Sequence, residues 1–428
     1  KLPKTLGILS SLVCTCLLLV ICLFVYNSAK LGQIDTKVKV SIIAGDEKSY
    51  QLFHDCMSGF NVKESISTTT KIYPSNFFAH TAIDSSNCPT GHETDIWFMG
   101  LHGLDWSADT PRVISGFSTY NNMDVYEGHT SICDRNGNLL IYTDNEFVYN
   151  RFHIPITRIA GRPSSSMTMI LPKPGQDSLY YVFHPYGING LLDDTLPHLL
   201  RFTIINVKSN NFAGSVVKLN QILLNGSSEK ITGVKHCNGK DWWVIGLRAS
   251  DEAFHAWLLT DTGLVKNNPV ISYSGVVHHG FFFPNQNVGY LKPSHNGSLL
   301  AEITTGQPSK LELHKFDPSL GIIYSGIEIH AFNSPLDDLY SGEFSPDNTK
   351  LYVSGFEFAT KYSFFQFDVS LFDSIFVRKS MERIYKPSTN FGSPVLGKDG
   401  KIYVTSWGGT NLQHVVHQPN KKGLACDF

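Results

Sequence analysis

Asp134-Arg-Asn-Gly-Asn-Leu-Leu-Ile-Tyr-Thr-Asp144 is the stretch of sequence that decides the fold. Its Asp, Asn and Gly residues favour a tight turn, and the β-branched and aromatic residues after them favour a half-buried strand. A calcium-binding EF-hand loop would require glycine at its sixth position and glutamate at its twelfth. Here the glycine is fourth (Gly137) and the twelfth residue is Asn145. The stretch therefore predicts a hairpin turn and the strand that follows it.

The same pattern of a polar turn followed by a strand occurs five more times in the chain. The later turns are centred on Asp177, Asn238, Asn296, Asp347 and Asp399. They follow at intervals of about 43 to 61 residues with further strand-like runs between them, which is the signature of β-propeller blades. No segment shows a sustained helical period. The sequence therefore predicts an all-β propeller of six four-stranded blades. The strand-like runs 96–100 and 112–115 either complete the sixth blade or open a seventh.

The composition points to an extracytoplasmic protein. Of the 428 residues, 42% are apolar, 12% are aromatic and only 17% are charged. A low charge content together with many Phe, Tyr, Gly, Asn and Ser residues favours an all-β domain outside the cytoplasm over a helical cytosolic protein. The formal net charge of −2 gives no reason to expect nucleic acid as a partner.

The first 29 residues contain a long apolar segment, from Leu6 to Val25. About 20 such residues span a bilayer, whereas the apolar core of a signal peptide is shorter, so residues 1–29 are predicted to be a transmembrane helix or signal anchor. Cleavage of the segment would instead give a secreted protein. Lysines lie on both sides of it, so charge does not fix its orientation. Composition places the rest of the chain at the cell surface, in the periplasm or in a lumen. Residues 30–94 are interpreted as a stalk or small appended region, and residues 95–428 as the propeller.

The cysteines and the asparagine sequons allow two further predictions. Five of the eight cysteines lie outside the apolar segment, and none has CxxC spacing, so a cysteine-based zinc site is not expected. Cys56 and Cys88 both precede the repeats and form the disulfide that we would test first. Asn225 and Asn296 fit the N-glycosylation pattern, and both also fit plain Asn-Gly turns.

Candidate functional residues lie on the strand before each turn, which lines the central channel of a propeller. Glu127, His129, His236 and Glu343 occur there. Imidazoles and carboxylates that converge at a channel mouth could hold a divalent cation, as in propeller lactonases and related hydrolases. The alternative interpretation is that a channel mouth is polar simply because it is wet. The sequence contains no G-x-S-x-G, HExxH or Walker-type motif.

Several motifs resemble the N-terminal propeller of Bacteroidetes surface proteins associated with gliding motility, within the WD40/YVTN-like superfamily. They include Trp97-Phe-Met-Gly-Leu-His-Gly-Leu-Asp-Trp-Ser107, Glu127 to Asp144, Ile170-Leu-Pro-Lys-Pro-Gly175, Lys230 to Gly239 and Pro419 to Cys426. The resemblance covers residues 95–428 and implies a propeller at the cell surface or secreted. That family commonly has Cys where His129 stands, which puts a disulfide at that position in doubt. Adhesion repeats and a secretion-sorting domain do not occur in these 428 residues, so a gliding or adhesin role is not carried over.

Three hypotheses about function follow from the sequence. The first is a membrane-anchored, non-enzymatic module that recognises a protein or glycan or acts as a scaffold. Its aromatic residues Trp106, Trp242, Trp243 and Trp407 could stack on sugars, or could pack between blades. The second is a lactonase-like hydrolase with a metal at the channel mouth, and only this hypothesis requires a cofactor. The third is a structural subunit of a membrane assembly, which would carry an extended apolar patch.

Overall fold

The computed structural model describes residues 91–428, apart from residues 100, 109, 120–128, 162–167, 186–197, 250, 252, 276–287, 306–308, 332–336, 358–360, 386–390 and 407–412. Within these ranges the chain forms seven antiparallel sheets, each built from strands that are consecutive in the sequence. We call the sheets blades 1 to 7. The predicted all-β propeller is therefore confirmed, and it has seven blades. The predicted N-terminal helix and stalk lie almost entirely outside the described residues.

The first four blades occupy the chain from Ile96 to Tyr273. Blade 1 contains β1 (Ile96–Met99), β2 (His102–Asp105) and β3 (Arg112–Ser115). Blade 2 contains β4 (Thr130–Cys133), β5 (Leu139–Thr143), β6 (Phe147–Asn150) and β7 (Pro155–Arg158). Blade 3 contains β8 (Met169–Pro172), β9 (Leu179–Pro185), β10 (Leu199–Asn206) and β11 (Ser215–Asn225). Blade 4 contains β12 (Ser227–Lys235), β13 (Trp242–Arg248), β14 (Ala253–Thr260), β15 (Gly263–Leu264) and β16 (Val270–Tyr273).

The remaining three blades follow in the same way. Blade 5 contains β17 (Gly289–Pro293), β18 (Leu299–Thr304), β19 (Lys310–Asp317) and β20 (Ile322–Ala331). Blade 6 contains β21 (Asp337–Phe344), β22 (Lys350–Glu357), β23 (Lys361–Asp368) and β24 (Glu382–Tyr385). Blade 7 contains β25 (Phe391–Leu396), β26 (Ile402–Ser406) and β27 (Gln413–Val416). Four described strands, as predicted, are present in blades 2, 3, 5 and 6.

Blade 1 accounts for the difference between six and seven blades. The two strand-like runs noted in the sequence do not join another blade, because β1, β2 and β3 pair only with one another among the described strands. Met99 pairs with His102, so only two residues connect β1 to β2. This hairpin lacks the run of Asp, Asn and Gly that marks the turns of the other blades, so the sequence pattern does not reveal it as a repeat.

The turn that begins at Asp134 is held by its own side chains. The Asp134 carboxylate accepts hydrogen bonds from the backbone N–H of Asn136 at 2.8 Å and of Asn138 at 3.0 Å. Gly137 has φ +83, which is unfavourable for residues with a Cβ. The Asp134 carboxylate therefore accepts hydrogen bonds from the backbone of its own turn, as expected for a hairpin turn rather than a calcium loop.

Blades 2 to 7 repeat this turn between their first two strands. In each of them the first turn residue donates its N–H across the turn to a backbone carbonyl: Asp134 to Asn138, Lys173 to Leu179, His236 to Asp241, Ser294 to Leu299, Ser345 to Lys350 and Gly397 to Lys401. Neighbouring turns also touch, since His295 N–H donates to Asn348 Oδ1 at 2.6 Å. We call the end of the ring that carries turns 134–138, 173–178, 236–241, 294–298, 345–349 and 397–401 the turn face. The opposite end, where each of these blades receives the chain from the preceding one, is the loop face.

The hydrophobic core consists of seven clusters, one for each interface between neighbouring blades. The cluster between blades 3 and 4, for example, contains Phe183 and Leu200 on one side and Val244 and Trp257 on the other. The five interior residues of β13 are buried without interruption, because both faces of the sheet are covered. Each blade therefore depends on two neighbours, which a closed ring supplies.

The ring closes between blade 7 and blade 1. Trp106 packs edge-on against Tyr403, with ring centroids 5.0 Å apart. Its ring is tilted against that of Trp97, with centroids 4.9 Å apart. The buried carboxylate of Asp95, just before β1, forms an ion pair with Lys398 in the turn of blade 7. Among the described strands none passes from one of these two sheets into the other. Closure of the described ring therefore relies on side-chain packing and this ion pair.

Helix makes up little of the described chain. Helix α1 (Ser374–Lys379) lies between β23 and β24 and begins at Asp373, whose carboxylate accepts the Phe376 N–H at 2.7 Å. Short 3₁₀ turns occur at His92–Thr94 and Gly423–Cys426. Within the described part of the chain, no helix is long and apolar enough to cross a bilayer.

Replacement of Trp106 by alanine should weaken ring closure. Trp106 is 3% exposed, and loss of a buried Trp side chain costs about 3–5 kcal/mol of unfolding free energy. Chemical denaturation of the full chain measures this loss. Trp242→Ala is the matched control, since Trp242 is half-buried beside Lys235 and does not lie at the closure. Equal losses in the two variants would contradict the role of Trp106 in closure.

Candidate functional site

His129 precedes β4 and is enclosed by aromatic side chains and backbone. Its ring packs edge-on against Phe98, with centroids 5.0 Å apart. Burial lowers the pKa of the His129 imidazole to about 4, because the charged form is poorly solvated there. Its buried Nε2 atom has no hydrogen-bond partner among the described residues. Glu127, which the sequence placed beside it, lies outside the described residues.

His236 lies on the turn face. It follows the last residue of β12, and its Nδ1 atom accepts the backbone N–H of Asn238 at 3.0 Å. The Sγ atom of the exposed Cys237 is 3.7 Å from the same nitrogen. Its ring is tilted against Trp243 at 5.8 Å. His236 thus shapes the first turn of blade 4.

Glu343 is a buried link between three blades. Its Oε2 atom is 2.6 Å from Nζ of Lys292 in blade 5 and accepts the backbone N–H of Leu396 in blade 7 at 3.0 Å. His295 Nε2 lies 3.6 Å from the other oxygen. The carboxylate is 1% exposed, so these contacts replace its water. This arrangement fits a structural role.

The predicted common site does not form from the three described candidates. The first strands of successive blades run in the same direction around the ring, so His129, before β4, lies toward the loop face. His236, after β12, lies at the turn face. Glu343 is directed into the interfaces of blades 5, 6 and 7. The sequence correctly placed these residues on or beside the first strands of their blades. The position of a residue along that strand, however, decides which face of the ring it reaches.

A different group of ligand-type side chains lies between blades 4 and 5. Glu302, Glu312 and His314 each place a carboxylate oxygen or ring nitrogen within 4.8 Å of the others, and all three are buried. Glu302 of β18 pairs directly with Glu312 of β19. Glu312 and His314 are two residues apart in β19, so strand alternation puts them on the same face. We call these three residues the blade 4–5 cluster.

Lys230 supplies positive charge to the blade 4–5 cluster. Its Nζ atom, on β12 of blade 4, is 2.8 Å from Glu302 Oε1 and 2.6 Å from Thr304 Oγ1. Burial opposes ionisation of Glu302, but the attraction of Lys230 and the contact with His314 outweigh it and hold the pKa of the Glu302 carboxyl far below its ordinary value. Glu302 is therefore a permanently charged, buried carboxylate.

His314 faces Glu302 without completing a hydrogen bond. Its Nδ1 atom is 3.1 Å from Ser274 Oγ, and the Phe254 ring packs against it with centroids 5.0 Å apart. Its Nε2 atom lies 3.4 Å from Glu302 Oε2, and within the described ranges this buried nitrogen has no hydrogen-bond partner. The His314 side chain is 0% exposed, so bulk water does not reach this nitrogen.

The sequence contains one signal for the blade 4–5 cluster, the polar and apolar alternation of β19. Lys310-Leu-Glu-Leu-His-Lys-Phe-Asp317 alternates apolar and polar residues, which predicts one polar strand face with Glu312 and His314 on it. In a propeller both faces of a blade are covered, so such a face brings polar groups into the interior. The partners Glu302 and Lys230 depend on strand register and blade packing, which the pattern does not reveal.

The two faces of the ring differ in the length of their connections. On the turn face the first turns are short and closed by their own side chains. Apart from 369–381, which contains helix α1, the longest connections all begin and end at the loop face and belong to blades 1 to 4: 116–129, 159–168, 186–198 and 274–288. Corresponding connections in blades 5 to 7 are short, such as 305–309 and 386–390. Long loops on a rigid scaffold are where binding residues concentrate.

The exposed apolar residues and tryptophans bear on the remaining hypotheses. On β11, the outer strand of blade 3, Val216, Val217, Leu219 and Ile222 are exposed. Trp106 and Trp243 are buried between blades, whereas Trp242 is half-buried. Trp407 lies outside the described residues. Sugar stacking by Trp106 or Trp243 is therefore not supported.

The predicted modification sites have separate outcomes. Asn225 and Asn296 are both exposed. Asn296 Oδ1 accepts the Ser298 N–H at 3.1 Å, which is the turn geometry expected from the sequence. Glycosylation of either residue stays a prediction. Cys56 and Cys88 lie outside the described residues, and the three described cysteines, Cys133, Cys237 and Cys426, are free thiols.

Comparison with known proteins gives no functional assignment. No protein-family model and no curated protein matches the chain. Similar solved structures include a protein from Lactobacillus plantarum, with TM-score 0.41, 13% identity, and coverage of 76% of this chain and 89% of that one. A protein described as a 6-phosphogluconolactonase from Bacteroides fragilis has TM-score 0.37, 11% identity, and coverage of 70% and 91%. A luciferin-regenerating enzyme has TM-score 0.36, 12% identity, and coverage of 68% and 90%. Similarity at this level carries no argument about activity.

His129 should make stability depend on pH. Because its folded pKa is about 4 and its ordinary value is 6.5, the unfolded chain binds the proton more readily between these values. The stabilisation is fully present above pH 6.5 and is lost as the pH falls toward 4. His129→Phe should therefore flatten the fall in unfolding free energy over this interval, and the exposed His417→Phe should not. An unchanged slope in His129→Phe would refute the assignment.

Proposed function

We propose that the propeller is a recognition module that binds a protein or glycan through the loop face of blades 1 to 4. The observation that carries this proposal is the unequal distribution of connections between the two faces. The first turns of the turn face use their Asp, Asn and Ser side chains to close themselves, as Asp134 does. The long connections, in contrast, all begin and end at the opposite face, in blades 1 to 4.

The amino-acid content of the long connections supports this proposal. Connection 116–129 contains Tyr120, Tyr126, Asp124 and Glu127, and connection 274–288 contains three consecutive phenylalanines from Phe281 to Phe283. Connection 186–198 adds Asp193 and Asp194. Aromatic residues supply much of the contact area at binding surfaces, and polar residues provide orientation and specificity. The mixture is suited to a polar macromolecular ligand.

The two alternatives have weaker support. A lactonase-like hydrolase would need ligand side chains that converge where a substrate can reach them, and His129, His236 and Glu343 lie apart. The three residues of the blade 4–5 cluster are buried, so a substrate in solution does not reach them. A structural subunit would present a broad apolar patch, and the exposed residues of β11 supply one strand of such a surface. They fit a contact with a protein partner and do not favour an assembly role over recognition.

We also propose that residues 1–29 anchor the chain in a membrane and that the propeller lies on its extracytoplasmic side, at a cell surface or facing a periplasm or lumen. The length of the apolar segment supports the anchor. The low charge content and the two exposed sequons fit the extracytoplasmic side. An anchored propeller would present its ligand-binding face to the surroundings while staying attached to the cell.

Photo-crosslinking from the two faces tests the recognition surface. A photoreactive amino acid at position 124 or 189, within connections 116–129 and 186–198, should give adducts of higher mass in native membranes. The same group at Asn136 or Lys240, two exposed turn-face positions, is the matched control and should give none. Digestion of the adducts with proteases or glycosidases identifies the ligand class. Equal crosslinking from both faces, or from the turn face alone, would disprove the proposal.

Carbonate extraction tests the anchor. About 20 apolar residues in a bilayer resist alkaline carbonate, so the full chain should stay in the membrane pellet. A chain that begins at residue 30 should appear in the soluble fraction. If carbonate releases the full chain as well, the segment is not an anchor.

A further inference from the structure

We propose that a pocket between blades 1 and 2 binds a small monocarboxylate with an apolar body. Strands β1 and β3 form its side in blade 1. Turn 134–138 and the connection 151–154, which joins β6 to β7, form its side in blade 2. The proposed ligand is a small molecule and not a macromolecule, so this inference goes beyond the recognition function.

The size and the walls of the pocket suit a small organic ligand. Its volume is about 310 Å³, and ligand pockets generally measure about 300–1,000 Å³. Four apolar side chains line it and belong to the hydrophobic cluster that joins blades 1 and 2 or pack against it: Ile96, Ile114, Phe117 and Leu139. All except Phe117 are only partly buried. An apolar ligand would therefore cover surface that is in contact with water.

Arg151 supplies the positive charge of the pocket. Its guanidinium packs over the Phe212 ring, 5.0 Å from the ring centroid, and forms no hydrogen bond or ion pair with the described residues. Burial opposes ionisation of the nearby Asp134, but hydrogen bonds from Asn138 and Asn136 and the charge of Arg151 lower the pKa of its carboxyl. A guanidinium presents its N–H donors as a planar fork. The fork of Arg151 is therefore available to a ligand.

The charges around the pocket indicate a monoanion. A carboxylate matches the fork of one guanidinium through two parallel hydrogen bonds. Among the described residues no lysine lines the pocket, and the Asp134 carboxylate is close enough to Arg151 to interact with it. A phosphate dianion would meet this negative charge with a single arginine to balance it. We therefore infer a carboxylate rather than a phosphate.

His153 adds a neutral polar group to the lining of the pocket. Its Nδ1 atom lies 3.3 Å from the Tyr142 hydroxyl. That hydroxyl accepts the Ser118 N–H at 2.9 Å, which leaves its own proton to donate to Nδ1. Burial lowers the pKa of the His153 imidazole, so the ring is neutral at pH 7 and carries its proton on Nε2. His153 therefore contributes a hydrogen-bond donor and not a second cation.

The connection that carries Arg151 and His153 is held in place by the residue before it. The Asn150 side chain accepts the backbone N–H of Phe152 at 2.9 Å and of Ile154 at 3.1 Å, and its carbonyl accepts the His153 N–H at 3.0 Å. His153 has φ +63, a conformation that Asn and Gly adopt more readily. Strained residues of this kind cluster at ligand sites. A preformed wall also lowers the entropy cost of binding.

Equilibrium dialysis of the full chain in detergent micelles tests the pocket, with protein-free micelles as the blank. The probes are cinnamate, an aromatic monocarboxylate, and its neutral amide, cinnamamide. The wild-type chain should bind one cinnamate saturably and should bind the amide about tenfold or more weakly, because only the carboxylate pairs with Arg151. Arg151→Gln should reduce the affinity for cinnamate by about tenfold or more and leave the affinity for the amide unchanged.

Two further variants locate the binding. Arg135→Gln is the matched control, since Arg135 is an exposed arginine of the adjacent turn that does not line the pocket, and it should bind cinnamate as the wild type does. Ser115→Trp places a large side chain at the exposed edge of the pocket and should abolish binding of both probes. If the wild type binds no cinnamate saturably, if it binds the amide as tightly as the acid, or if the two arginine variants lose affinity equally, the proposal is wrong.

Discussion

The interface between neighbouring blades is the constraint on which the whole structure depends. Each sheet has two faces to cover, and seven hydrophobic clusters fill the seven interfaces. No blade can bury both faces unless the ring closes, so the interface with the fewest buried apolar residues among those described has a large influence. That interface, between blades 7 and 1, buries Leu104, Trp106 and Tyr403 and adds the Asp95–Lys398 ion pair.

Because neighbouring blades cover both faces of each sheet, the buried charged side chains lie in the interfaces between blades. A charged residue that alternates into an interface must be paired there, because its water has been removed. Glu343 meets Lys292, and Glu302 meets Lys230, so two carboxylates of this kind form ion pairs with a neighbouring blade.

The sequence predicted the parts of the fold that depend on local chemistry. The turns at Asp134, Asn238 and Asn296 form as expected, because side chains within each turn supply the hydrogen bonds. Blade 1 was harder to recognise, since a two-residue connection without Asp or Asn joins β1 to β2. The site depended on non-local geometry. His129 precedes the first strand of blade 2, whereas His236 follows the first strand of blade 4, so the two residues lie at opposite ends of equivalent strands. Glu302 and Lys230 meet only because blades 4 and 5 pack in one register.

A double-mutant cycle on the closing ion pair tests the central claim, that the described sheets form one closed ring. Unfolding free energies would be measured for the wild type, Asp95→Asn, Lys398→Met and the double variant. A closed ring predicts a coupling energy of about 1 kcal/mol or more between positions that are 303 residues apart in sequence. Effects that add to within about 0.5 kcal/mol would show that blades 1 and 7 do not meet.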